Sequence, residues 1–181
     1  MAVLARLRTL YDPSSRSPEA LRALVDPIFF CERYVKPHDV RWTKPTGQFQ
    51  IDMVYHFLAG SRFDPVLLAQ LLEDGRPLTD AESMAETAFR TALIPIEHGK
   101  TTWLSVGVPL WTIVVDQEVK GALIGNRKED AQKPLTTIKW HIENNALLRA
   151  DFPELRPDYR QGWSDERIYV ERRDRSKDPT I

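Results

Sequence analysis

The stretch Thr91-Ala-Leu-Ile-Pro-Ile-Glu-His-Gly-Lys-Thr-Thr102 decides how the rest of the chain is read. Ala92, Leu93 and Ile94 form an apolar run of strand character, and Gly99-Lys100-Thr101 follows at the mouth of an apolar, helix-like segment. Strand, tight loop, lysine, hydroxyl and helix is the order of a phosphate-binding loop. In such a loop, successive backbone N–H groups curl around the β- and γ-phosphates, and the helix N-terminus adds partial positive charge. The lysine reaches the terminal phosphates, and the threonine hydroxyl ligates the phosphate-bound Mg2+. The full loop pattern wants a glycine five residues before Gly99, where this chain has Ile94. Taken without its surroundings, Gly99-Lys100-Thr101 is equally a strand-to-helix turn carrying an exposed lysine.

The surroundings favour the phosphate loop. Downstream, Leu104, Val108, Trp111 and Val115 recur at helical spacing, and Pro109 within that run predicts a bend near Ser105. Lys120 to Asn126 reads as a second, buried strand. A long helix follows from about Asp130, with Pro134 in its first turn and Ala131, Leu135, Ile138 and Ile142 on one face. Arg167 to Glu171 alternates as a third strand. Upstream the pattern is helical. Val3, Leu4, Leu7 and Leu10 give a short amphipathic helix, and Ser17-Pro18 caps another that runs toward Val25. Pro37 to Gly47 is a turn-rich connector, and Phe49 to Leu58 is a helix ending at Gly60. Asp64-Pro65 opens a helix stopped by Gly75, and Thr79 to Glu82 is a capping box for one more through Glu86.

Together these segments predict an α/β fold of the P-loop NTPase type: a mainly parallel sheet flanked by helices, with the loop at the sheet's carboxyl edge. Residues 1–38 are expected to form a helical segment and residues 39–181 the front portion of the nucleotide-binding domain. The net charge of −1 leaves any nucleic-acid contact to a local basic patch. Cys31 is the single cysteine, which excludes an internal disulfide and a cysteine-based zinc site and fits a reducing compartment. The longest apolar stretch, Val106 to Val115, is too short to span a bilayer, and Met1 opens no secretory signal. A cytoplasmic protein without a membrane partner is the simplest expectation.

Pro95 to Thr101, Pro109-Leu-Trp111, the strand ending in Gly-Asn126, Asn144 to Leu155, Gly162-Trp163-Ser164 and Lys177-Asp-Pro-Thr-Ile181 follow in an order and spacing that resembles the large terminase subunits of tailed bacteriophages. Those proteins are the motor ATPases that pump viral DNA into a preformed capsid. The resemblance, which covers about Trp42 to Ile181, implies an ATPase that uses ATP and Mg2+. It implies double-stranded DNA, the portal protein and the small terminase subunit as partners. It also implies a ring of identical subunits on the capsid and a location in the host cytoplasm. Carried over by position, it makes Gly99, Lys100 and Thr101 the phosphate and Mg2+ site, with Lys100 catalytic and Glu97, His98 and Thr102 beside it. Many family members have arginine where this chain has Ile96, four residues before Lys100.

Phe49 to Met53 is similar to the family's aromatic–glutamine segment near the adenine, which offers Gln50 as a base contact; Gln48 competes with it, as does a plain surface role. The resemblance further implies that the metal carboxylate, the water-positioning group, the trans-acting basic residue and a nuclease domain lie beyond Ile181. The runner-up readings are another nucleic-acid-dependent ATPase of helicase type and a non-catalytic module docking through Met1 to Phe30.

Thr112 to Glu118 imitates the missing strand, an apolar run ending in acid. The helix after the loop already occupies that interval, so Asp116 reads as a helix end rather than a metal carboxylate. His38, His56, His98 and His141 lack metal-ligand spacing. Arg172, Arg173, Arg175 and Lys177 are offset by Glu171, Asp174 and Asp178, which favours a solvated edge over a DNA contact.

Overall fold

The computed structural model describes residues 16–39, 42, 44–74, 99–172 and 178–181. The expected strand at Ala92 to Ile94, the helices at Val3 to Leu10 and Thr79 to Glu86, and Glu97, His98, Arg173, Arg175 and Lys177 lie outside these residues.

Among the described residues the fold is helical and contains no β-sheet, which overturns the expected parallel α/β architecture. Helix α1 (Pro18–Val25) and α2 (Pro27–Phe30) are followed by a π-helical segment, Cys31–Val35, and a 3-10 turn, Lys36–His38. Helices α3 (Gln48–Leu58) and α4 (Pro65–Asp74) come next. A second π-helical segment, Thr101–Gly107, runs into α5 (Val108–Val115), and α6 (Lys128–Asn144) and α7 (Ala146–Asp151) complete the helices. Among the described residues no helix is long and apolar enough to cross a membrane.

The two expected strands that fall within the described residues fail for different reasons. Lys120 to Asn126 has strand-forming side chains but, among the described residues, almost no partner: Gly121 N–H donates to Thr180 C=O at 2.9 Å, and Ile124 is 93 % exposed rather than buried. A strand is defined by its neighbour, and side-chain pattern alone does not supply one. Arg167 to Glu171 does find partners, but locally and antiparallel. The isolated bridges Pro157–Val170 and Trp163–Ile168 flank the Tyr159–Gln161 turn, and Thr180 and Ile181 close on Ile168. Arg172 ties this corner down, donating to the carbonyls of Gln117 and Val119 and to the Thr180 hydroxyl.

The helix ends follow local chemistry. Ser17 Oγ accepts from Ala20 N–H, with Pro18 opening α1 where its missing N–H costs nothing. Asp26 repeats the device for α2 and Asn145 for α7. Pro109 lies inside the Thr101 to Val115 run, as the sequence predicts, and Pro134 lies deeper in its helix than predicted. Around Pro109 the chain passes through the Thr101–Gly107 segment, where Val108 N–H reaches back to Trp103 C=O. That wider π register covers Ser105, where the bend is expected, and accommodates the hydrogen bond that proline cannot make. Helix α6 begins at Lys128, not near Asp130, so Pro134 lies inside it and is buried. An internal proline costs about 3 kcal/mol, and here the ring is part of the interior that offsets it.

The core is built around α5, where Leu110, Trp111, Ile113, Val114 and Val115 are all buried. Trp111 Nε1 donates to Ala23 C=O at 3.0 Å, and Ala20, Leu24 and Phe30 join the same cluster. The apolar face of α1 and α2 is thus spent within the chain. Gly107 marks the closest crossing: a Cβ built there would lie 2.5 Å from Cys31 Sγ and 3.3 Å from Thr102 C=O. On the far side, Tyr34 donates to Asp151 at 2.6 Å beside Arg33, and Arg16 reaches Glu154 at 2.8 Å. Asn145 uses its whole side chain: its oxygen accepts Leu148 N–H, and its nitrogen faces Tyr34 C=O and His141 Nδ1. Burial, with the His38 ring adding to it, holds the buried His141 imidazole down at about 4.

Two outcomes follow from this packing. Gly107→Ala should lose about 2 kcal/mol by overpacking, and combining it with Cys31→Ala should cost less than the sum of the two single changes. Additive losses in denaturant titrations would contradict the crossing geometry. His141 is neutral when folded and titrates near its ordinary value of about 6.5 when unfolded, so its contribution is complete above that value and drains away as the pH falls toward 4. Stability should fall by about 2 kcal/mol between pH 7 and pH 5 on this account, and His141→Gln should flatten that slope. An identical slope in the variant would contradict it.

Candidate functional site

Gly99-Lys100-Thr101 forms a turn that leads directly into the Thr101–Gly107 segment. Gly99 stands at φ +72°, in the left-handed region that glycine adopts at no steric cost. Its carbonyl accepts Trp103 N–H at 3.0 Å, the first helical bond, and the Trp103 ring lies 3.3 Å from where a Cβ at Gly99 would sit. The backbone conformation therefore favours glycine here, and the Trp103 ring leaves little room for a side chain. Helical backbone begins at Lys100, and the side chains of Lys100 and Thr101 are exposed.

Thr102 faces elsewhere. Its Oγ1 donates to Asp39 Oδ2 at 2.7 Å, across the chain from the turn after Val35. Next to that bond the rings of Trp42 and Trp103 pack with centroids 4.4 Å apart, and the Lys36 ammonium sits 5.5 Å from the Trp42 ring. Of the residues expected at the site, Gly99, Lys100, Thr101 and Thr102 are consecutive on one helical start. Gln50 is engaged otherwise: its Oε1 accepts Gly47 N–H at 3.0 Å and closes the N-terminus of its own helix, α3. Gln48, its competitor, donates to Asp52 at 2.8 Å. Asp39 is the residue that sequence reasoning missed. It stands in a connector with no motif, and its partner is far along the chain.

Asp116 is the end of α5. It is buried, its Oδ1 accepts Glu118 N–H at 3.0 Å, and its Oδ2 lies 3.5 Å from Arg62 Nη2. Among the described residues no group of His, Cys, Asp and Glu is arranged to hold a metal ion by itself. Away from the turn, a cavity of about 760 Å3 opens beside α6 and α7, with Arg149, Arg156 and Tyr159 along its wall and Glu143 and Glu171 balancing their charge. No protein-family model, curated protein or solved structure matches the chain.

Asp116→Ala should cost about 2 to 3 kcal/mol, since it removes the acceptor of Glu118 N–H and leaves Arg62 without this buried carboxylate. Nucleotide affinity of the folded protein should be unchanged. A variant of full stability that loses Mg2+-dependent nucleotide binding would instead make Asp116 a metal carboxylate.

Proposed function

We propose that the Gly99–Thr101 turn binds the phosphates of ATP with Mg2+, and that the chain is the ATP-binding part of a motor ATPase that drives double-stranded DNA into a viral capsid. The observation that carries the nucleotide reading is a left-handed glycine opening a helix whose first side chains, Lys100 and Thr101, are exposed. The N–H groups of a helix start, a cation and a hydroxyl are the groups that triphosphate and Mg2+ use. Mg2+ keeps several waters and takes most of its remaining ligands from phosphate oxygens, so one threonine hydroxyl fits it without a protein cage. Thr102 is already committed to Asp39, which leaves Thr101 as the hydroxyl for the metal.

The packaging role rests on the resemblance to the terminases, and not on a sheet. Under it, the partners are DNA, the portal protein, the small terminase subunit and further copies of this chain in a ring. ATP turnover in that assembly supplies the work of translocation. Gln50 is not assigned to the adenine, because its carboxamide oxygen closes α3.

Calorimetry with Mg-ATP tests the site. Lys100→Ala should weaken binding at least about tenfold, the scale of a lost charge-assisted hydrogen bond, without lowering the unfolding temperature. Thr101→Val should abolish the part of the affinity that depends on Mg2+ and leave the metal-free affinity in place. Equal ATP affinity in the wild type and Lys100→Ala would remove the phosphate assignment.

A further inference from the structure

Thr101 and Thr102 both carry a hydroxyl at the first turn, and successive helical side chains diverge by about 100°. Which of them faces a phosphate-bound metal depends on how the start of the helix is rotated. The structure fixes that rotation. Asp39 takes the only hydroxyl hydrogen that Thr102 has, at 2.7 Å. Asp39 is itself braced, its N–H donating to Lys36 C=O at 3.1 Å and its C=O accepting Trp42 N–H at 2.9 Å. The adjoining Trp42–Trp103 contact holds the next helical residue, and Trp103 is the residue whose N–H and ring both meet Gly99.

We propose that Asp39 is a positioning residue for the phosphate turn: by holding Thr102 it sets the rotation of the helix start, so that Lys100 and Thr101 present their side chains to the ligand. The inference rests on the reading of Gly99–Thr101 as an ATP site. It assigns Asp39 no contact with nucleotide or metal. The positioning is assigned to the carboxylate oxygen that accepts from Thr102. Asparagine at this position keeps an acceptor oxygen, and alanine does not.

The test is ATP affinity by calorimetry, with and without Mg2+, on the full chain and its variants, with an unfolding temperature for each. Asp39→Ala and Thr102→Val should each weaken binding about tenfold in both conditions, the double change should be no weaker than either single one, and Asp39→Asn should stay within about twofold of the wild type. Thr102→Val, which is nearly isosteric, decides the matter if Asp39→Ala does not fold. Wild-type affinity in Thr102→Val, multiplicative losses in the double variant, or an Asp39→Asn as weak as Asp39→Ala would overturn the proposal. If the wild type binds ATP and Lys100→Ala does not, these outcomes reject Asp39 alone. If the wild type fails to bind, or Lys100→Ala binds equally well, the phosphate site falls and this inference with it.

Discussion

Helix α5, Val108–Val115, has no polar face. A helix that is apolar all round is stable only when covered on every side, so this eight-residue element requires the others to wrap it. Trp111 shows the cost and its solution together. Its ring is fully buried, and its indole N–H, which would be expensive to bury alone, finds the Ala23 carbonyl. That single bond fixes α1 against α5. The approach it demands is close enough that, where the Cys31–Val35 and Thr101–Gly107 segments cross, only a residue without a side chain fits at Gly107.

The same demand reaches the candidate site. Thr101–Gly107 is the lead-in to α5, so whatever covers α5 also fixes the direction in which the Gly99 turn points. Its π register carries the chain past Pro109 and keeps Trp103 and Val106 in the core while Thr101 remains in solvent. The turn is thus held by packing behind it and by the Asp39 and Trp42 contacts beside it.

What the sequence made legible was chemistry that acts within a few residues. Ser17-Pro18 and Asp64-Pro65 announced helix starts because a cap and a proline work through their own neighbours. Gly99-Lys100-Thr101 announced a glycine-opened helix for the same reason, and Asp116 was readable as a helix end. The strands were not legible, because pairing is a property of two segments. Lys120 to Asn126 has the side chains of a strand, yet among the described residues only Gly121 makes a backbone bond out of it, and Arg167 to Glu171 pairs with its own neighbourhood rather than into a parallel sheet. Gln50 looked available because the Gly47 N–H that uses it is a backbone group without a signature. Asp39 was invisible because nothing in residues 36–42 refers to Thr102.

The central claim is that a left-handed glycine at the head of a buried helix forms the anion-binding end of this molecule. The most direct measurement is the shift of individual backbone amide resonances in isotope-labelled protein as Mg-ATP is added. The account predicts that the largest movements fall on the amides of Gly99, Lys100 and Thr101, with smaller ones at Asp39 and Trp103. Movements concentrated instead around Arg149, Arg156 and Tyr159, with Gly99 to Thr101 unmoved, would contradict it.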